Sequence, residues 1–549
     1  MRKLRKFKFK SVVALAQMRL SVKSAAIVLA SSTLLSALLG LFRDRLLNSY
    51  YLGTYPTGID AYTAAFTIPD FMFFILTSGA LSVSFIPVFN QRLAAGNKKS
   101  AWELSSSTIN LLAILTLISS VLIMVFADPL IRYVVSPGLD ESGMILAINM
   151  TRVIAINPFL FSIATVVTSI QQAVGRFVFY AFAPAIYNIG IIIGITWFTG
   201  GINLFGVQIF EGGIMGVALG VILGAVMQLV VALIGLFGLG MDYDFKIHWK
   251  NQGFRSILRL LPARSMDQGI DYVNGIVNTN LSSRMGAGAV RSFNQASALH
   301  QMPVNLIGVA ISTAFFPKLT EELGNGDKKE FNETFRQALR TITWIALPVS
   351  VIAFFGRGYV TSFISNIGNN DSNGTIASIL GTLCLAIFAR SVFHIASRGF
   401  YAYQDTKTPF IVSIFAIGLT IGLSVWFYLL GLSVEGLGWA QSVGAMVEIV
   451  ILMYILQRRS GGVLLNQSYW RATFRMIFAT AIAGCVAFSM TKFVPLMATD
   501  TSLVITIPKF LLIAGVSFIA YLIASYFLNL KEAGPIFRYF KKILFRNVK

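Results

Sequence analysis

GLFRDR (Gly40–Arg45), then Asp60, then IPDF (Ile68–Phe71), then SVSFIPVFNQRLAAGNKK (Ser82–Lys99) form one stretch that decides how the chain is read. Its last segment has a counterpart about 230 residues later, STAFFPKLTEELGNGDKK (Ser312–Lys329). In each copy a proline, Pro87 or Pro317, stands eleven residues before a Lys-Lys pair. The segments are apolar yet carry charges that a plain membrane anchor would avoid. A stretch of this kind, present twice, reads as two copies of one membrane unit. The stretch itself is expected to line a path that both copies share.

Working outward, 56% of the 549 residues are hydrophobic and only 12% are charged. Mean hydropathy is +0.72. A soluble domain of this size would need far more polar surface. Fourteen apolar runs follow one another along the chain, and a run of about 20 residues spans a bilayer core. Lipid offers no hydrogen bonds to a bare backbone, so the runs are predicted to be helices. The expected fold is an all-α polytopic membrane protein of about fourteen transmembrane helices.

The formal net charge of +21 would suggest nucleic acid in a soluble protein. Here the basic residues sit in short loops and at both ends, which is the pattern of membrane topology. Loops after even-numbered runs hold Arg92, Lys98 and Lys99; Lys246, Lys250 and Arg255; Lys318, Lys328 and Lys329; Arg458 and Arg459. Loops after odd-numbered runs are poor in Lys and Arg, apart from Arg132 and Arg357. An even count of spans puts both ends on one side, and the basic side is the cytoplasm. Cys384 and Cys485 both lie inside apolar runs and read as packing residues, with no metal-ligand spacing.

The domain reading follows from the repeat. Residues 1–24 form a basic cytoplasmic tail, 25–240 a six-helix half, and 241–460 a second six-helix half. Residues 461–530 add two transmembrane helices, and 531–549 form a second basic cytoplasmic tail. Six is even, so the halves enter from the same side as parallel repeats. Within the first 23 residues there are eight Lys or Arg and no acid, and the apolar SVVALAQM is short. That segment is a poor signal peptide. It suits either a helix held on anionic lipid or a tail that only sets topology.

Charges inside spans are costly, about 2.5–3.5 kcal/mol at a helix centre, so they face water or a partner. Arg43, Asp44, Arg45, Asp60 and Asp70 fall in the first two spans. Arg264, Asp267, Asp271, Arg284, Arg291 and His300 fall in the seventh and eighth, and Arg390, His394 and Arg398 in the tenth. Each has a bland reading. Arg43 and Arg45 snorkel to the outer interface, or Arg43 lines a cavity. Asp60 caps a helix start, or binds. Arg264, Asp267 and Asp271, at i, i+3 and i+7 on one helix face, form an internal ion-pair network or a site. Arg291 flanks a short outer turn. Arg390 pairs with a neighbouring helix, and Glu448, alone in the twelfth span, is a candidate partner. His300 and His394 read as hydrogen-bonded structural residues. Prolines at 69, 87, 184, 262, 303, 317 and 409 in or beside spans suit helices that kink.

The motifs LGLFRDRLL (Leu39–Leu47), DAYTAAFTIPDF (Asp60–Phe71), GALSVSFIPVF (Gly79–Phe89), IGVAISTAFFPKL (Ile307–Leu319) and YQDTKTP (Tyr403–Pro409) resemble, in order and spacing, the MurJ/MviN family of lipid II flippases. That family lies within the multidrug/oligosaccharidyl-lipid/polysaccharide exporters. The resemblance implies fourteen spans and a cavity lined by spans 1, 2, 7 and 8, with arginines on the pyrophosphate of a lipid-linked muropeptide. Arginine suits that task because its planar fork bonds phosphate oxygens in pairs. Arg43 falls on one family arginine and Asp60 on the family's acidic residue. Three other family arginines are replaced here by Ala37, Phe73 and Ala298. The substrate-binding candidates are therefore Arg43, Asp60, Arg264, Asp267, Asp271 and Arg291, with Arg264 or Arg291 taking over the missing charge. No catalytic or metal-ligating set is expected.

The function these features predict is a flippase in the bacterial cytoplasmic membrane, not an enzyme. By resemblance it moves lipid II from inner to outer leaflet by alternating access, as a monomer, without a cofactor. Its partners are a pyrophosphate-linked saccharide lipid, membrane lipids and cell-wall synthesis proteins, but not nucleic acid. Energy comes from the membrane potential or from a coupling ion, Na+ or H+. Alternatives are an exporter of another undecaprenyl-linked saccharide, or a drug/cation antiporter, whose cavity should favour acids over arginine. A glycosyltransferase would need a large polar loop with an acidic metal site, and no such loop is present. A scaffold that only recruits wall-synthesis proteins leaves the internal charges without a purpose.

Overall fold

The computed structural model describes residues 18, 22–78, 85–204, 207–365, 370–497 and 499–534. The predicted basic tails at 1–24 and 531–549 lie largely outside the described residues, as do Gly79–Ser84 of the opening stretch. The described chain is helical almost throughout. A short antiparallel hairpin, Ile202–Leu204 with Val207–Phe210, joins the fifth and sixth spans.

Among the described residues, thirteen helices are long and apolar enough to cross a membrane. They match thirteen of the fourteen predicted spans. The remaining one, the seventh, is the 32-residue helix Gln252–Ser283. Its length suffices to cross. It is less apolar than the others because Arg255, Arg259, Arg264, Asp267 and Asp271 lie along it. The fold is thus the all-α, multi-pass membrane architecture that the apolar runs predicted.

Caps set where helices start. Asn97 accepts from the Ser100 N–H at 3.0 Å to open the third span, and Asp327 accepts from the Glu330 N–H at 3.0 Å to open the ninth. The residues before each cap also correspond: Gly96 and Gly326 take φ of +74° and +79°. Only glycine enters that region without strain. The repeated sequence therefore folds into a repeated turn. A wide helical turn recurs as well, at Phe74–Ser78 in the second span and Asn305–Val309 in the eighth. Such turns are uncommon and gather at functional positions.

The chain divides into two compact units, residues 1–290 and 291–549. The first therefore takes in the seventh helix, beyond the predicted repeat boundary at 240/241. Within this unit the fifth span (Phe177–Thr196) and sixth (Met215–Ile234) pack backbone to backbone. A Cβ added at Gly190 would come within 2.2 Å of Gly224 Cα, and one at Gly194 within 2.6 Å of Gly220 Cα. Small residues at such crossings let helices approach closely in lipid. A second cluster, built on Phe85, Phe89, Trp102 and Phe254, ties the second and third spans to the start of the seventh.

In the second unit, Phe331, Phe335, Phe400 and Leu456 form the main core of spans 9, 10 and 12. The two C-terminal helices, Gln467–Phe493 and Leu503–Phe527, pack on the ninth span, Lys328–Thr361. Polar contacts fix them there. Tyr521 Oη donates to the Trp344 carbonyl at 2.7 Å, Trp344 Nε1 donates to Ser525 Oγ at 3.3 Å, and Arg340 Nε bonds Glu532 Oε1 at 2.6 Å.

Candidate functional site

The first unit carries a polar cluster on its first span, Val22–Tyr51. Arg43 Nη1 donates to Asn188 Oδ1 at 3.0 Å, while Nη2 bonds Asp44 Oδ1 at 3.0 Å. Asn188 is held in turn. Its Nδ2 donates to the Ser36 carbonyl at 3.3 Å and to the Pro184 carbonyl at 3.3 Å. Gly40, one turn before Arg43, leaves room for this approach: a Cβ there would stand 3.9 Å from Asn188 Oδ1. Arg43 is thus a half-buried guanidinium with a fixed orientation. Tyr62, Tyr187 and Asp44 lie within its electrostatic reach, and Asp70 lies within reach of Tyr187.

Beside this cluster is an aromatic wall. Phe73 meets Phe161 edge-on at 5.7 Å, Phe161 meets Tyr187 at 5.2 Å, and Phe74 stacks on Tyr272 at 4.6 Å. Phe73 is one of the three positions at which the resemblance led to an arginine being expected. Its ring is integrated into this wall, so the replacement is a packed aromatic and not a vacant position. Ala37 and Ala298, at the other two replaced positions, are exposed.

The remaining candidates fall in different settings. Asp60 is fully buried. Its Oδ2 accepts from the Gly288 N–H at 2.7 Å, clamping the second span to the turn that follows the seventh. Gly288 has φ of +84° and packs near Pro56. Asp60 is therefore a structural clamp in this arrangement. Asp271 is exposed, next to Tyr272. The side chains of Arg264 and Asp267 lie outside the described residues. Arg291 is 4% exposed. With its amide oxygen turned inward, Gln295 accepts from Nη2, Nη1 and Nε of Arg291 at 2.7, 2.9 and 3.2 Å. Arg291 is buried and engaged within its own helix.

Sequence reasoning missed Asn188, whose signal was a lone amide in an otherwise apolar run, one turn after Pro184. It did anticipate the pairing of the tenth and twelfth spans. Arg390 Nη1 bonds Glu448 Oε2 at 3.2 Å, and Ser413 Oγ of the eleventh span donates to Glu448 Oε1 at 2.7 Å. His300 and His394 both lie within electrostatic reach of Arg390. Arg398 lies over the Phe316 ring, 4.9 Å from its centroid.

At the loop YQDTKTP, between the tenth and eleventh spans, Asp405 accepts from the Lys407 and Thr408 N–H groups at 3.1 and 3.0 Å and from Arg459 Nη1 at 2.6 Å. Burial pushes this carboxyl up. The hydrogen bonds from Thr408 and Arg459, with the Arg459 charge, outweigh burial and hold it down at about 2.

Comparisons with known proteins bear on the family and the fold. The profile of the family described as lipid II flippase MurJ matches residues 48–507. A probable lipid II flippase MurJ of Buchnera aphidicola subsp. Acyrthosiphon pisum is 26% identical over 460 residues, covering 83% of this chain and 88% of that protein. The lipid II flippase MurJ of Burkholderia cenocepacia is 26% identical over 443 residues, covering 79% and 84%. Among solved structures, a lipid II flippase MurJ in an inward closed conformation superposes with a TM-score of 0.72 at 21% identity, covering 95% of this chain and 99% of that one. A multidrug-resistance MATE family transporter of the MOP superfamily, inward-facing, gives 0.65 at 19% identity, covering 80% and 99%.

Proposed function

The chain belongs to the lipid II flippase MurJ family, and from that premise we propose that it carries lipid II from the inner to the outer leaflet of a bacterial cytoplasmic membrane. It is a transporter and not an enzyme. The observation that carries this reading is the family match, which runs unbroken from the end of the first span into the fourteenth. Both termini lie in the cytoplasm, by the basic loops after even-numbered spans. The headgroup crosses by alternating access while the lipid tail stays in the bilayer, and the chain works as a monomer alongside cell-wall synthesis proteins.

Arg43 is the anchor for the pyrophosphate. A half-buried guanidinium held by Asn188 and Asp44 loses little freedom when it adds a phosphate oxygen. Arg264, on the seventh helix of the same compact unit, supplies the second cation. The cycle draws on the membrane potential or on a gradient of Na+ or H+. Moving one charge through 100 mV supplies about 2.3 kcal/mol.

Reconstitution tests the reading. Liposomes holding the purified chain and lipid II should expose the headgroup to an impermeant labelling reagent faster than empty liposomes. R43A together with R264A should abolish the difference, and R43K with R264K should keep part of it. Full transport with both alanines would remove these arginines from the account.

A further inference from the structure

The loop after the second span and the loop before the seventh enclose an open cleft of about 820 Å³ within the first unit. We propose that this cleft holds the phosphate headgroup of an anionic phospholipid in the cytoplasmic leaflet. The leaflet assignment rests on the orientation given above.

Three cations line the cleft: Arg92, Lys99 and Lys250. None of them forms an ion pair among the described residues. One acid, Glu103, shares the lining, and it lies near the Asn251 amide, 3.5 Å from Nδ2. The balance is positive and concave, which suits a phosphate better than a flat lysine patch does.

The walls are tied together before any ligand arrives. Asn251 Nδ2 donates to the Ser100 carbonyl and to Ser100 Oγ, each at 3.1 Å. The same side chain caps the seventh helix, its Oδ1 accepting from the Gly253 N–H at 3.0 Å. Further along, the His248 N–H donates to Ser107 Oγ at 2.8 Å, and the Asp244 N–H donates to Ser106 Oγ at 3.1 Å. Asn110 Nδ2 donates to the Asp244 carbonyl at 2.8 Å. The loop 243–251 is therefore laced along the third span from Ser100 to Asn110. Loops that only set topology need no such lacing.

One further feature points to a lipid rather than a free anion. The same loop turns Tyr243, Phe245 and Trp249 outward, Phe245 at 86% exposure. Aromatic side chains at a basic edge sit at the headgroup level of a bilayer. In addition, the third and seventh helices both begin on the cleft, at Lys98 and Gln252, and their N-terminal ends favour negative charge.

The test uses the full chain in detergent, titrated with phosphatidylglycerol, phosphatidylcholine or inorganic pyrophosphate and read by native mass spectrometry. Wild type should retain phosphatidylglycerol over phosphatidylcholine. R92Q/K99Q/K250Q should weaken that retention by about fivefold per charge, on the order of a hundredfold in all. A control of equal charge change, K318Q/K328Q/K329Q, should leave it near wild type. Single variants K99Q and K250Q, at exposed positions, keep the test readable if the triple variant folds poorly. Equal loss in the control, or no loss in the cleft variants, would overturn the proposal. Pyrophosphate displacing the phospholipid at equal concentration would also overturn it, making the cleft a site for free anions. A cysteine at Gln252 (Q252C) should react with an impermeant thiol reagent only from the cytoplasmic side. Reaction from outside would overturn the leaflet assignment. None of these readouts measures transport, so failure here leaves the flippase reading standing or falling on its own test.

Discussion

Replacing Arg390 by methionine should destabilise the second unit more than any surface change could. Glu448 is 2% exposed, and its partner Arg390 stands 3.2 Å away with 28% exposure. Ser413 holds the other carboxylate oxygen at 2.7 Å. R390M takes the Arg390 cation away from that buried carboxylate, which costs about 3–5 kcal/mol for a pair of this kind. E448Q should cost less, about 1–3 kcal/mol, because the amide oxygen still accepts from Ser413 and Arg390 keeps some exposure. The double variant R390M/E448Q removes both charges and should recover much of the loss. The cycle should therefore show a coupling of about 2–3 kcal/mol. Reversible unfolding in mixed micelles measures all four proteins. R390M within about 1 kcal/mol of wild type, or a double variant that equals the sum of the singles, would refute the buried-pair account.

Three other outcomes follow from the site geometry. D60A should leave the buried Gly288 N–H without its acceptor and cost about 1–3 kcal/mol, seen as a lower melting temperature in detergent, while D60N should keep most of the stability. N188A should release Arg43 from the fifth span and slow lipid II transport in liposomes without lowering membrane expression; unchanged transport would mean that the orientation of Arg43 is unimportant. Asp405 has a folded value of about 2, below its ordinary 3.8, so its stabilisation is complete above pH 3.8 and is lost as pH falls towards 2. The stability gap between wild type and D405N should be constant at neutral pH and close in that acid window.

The spans were legible because lipid leaves a chain so few choices. All fourteen were read as apolar runs, and loop parity agreed with that count; among the described residues thirteen helices are long and apolar enough to cross, and the seventh, though long enough, carries more charge. The repeat was legible to the level of the turn, since Gly96 and Gly326 share one backbone conformation. The site was less so. Asp60 could be read as a helix cap or as a binder. Its actual partner is a backbone N–H 228 positions away, and no local pattern marks such a contact. Arg43 was legible as either an interfacial cation or a cavity residue, but its partner Asn188, 145 positions away on the fifth span, was not. Glu448 was the easier case: a lone acid in an apolar helix must find a cation or a donor, and few arginines were in reach.

The central claim is that this chain flips lipid II, and rescue of a bacterium depleted of its own lipid II flippase tests it most directly. Lipid II reaching the outer face is measured by its accessibility to an external toxin or enzyme that cleaves it. The account predicts restored growth and restored external lipid II with the wild-type chain, and loss of both with R43A at equal membrane expression. Good membrane expression with no lipid II outside would contradict it and assign the cargo to another lipid-linked saccharide.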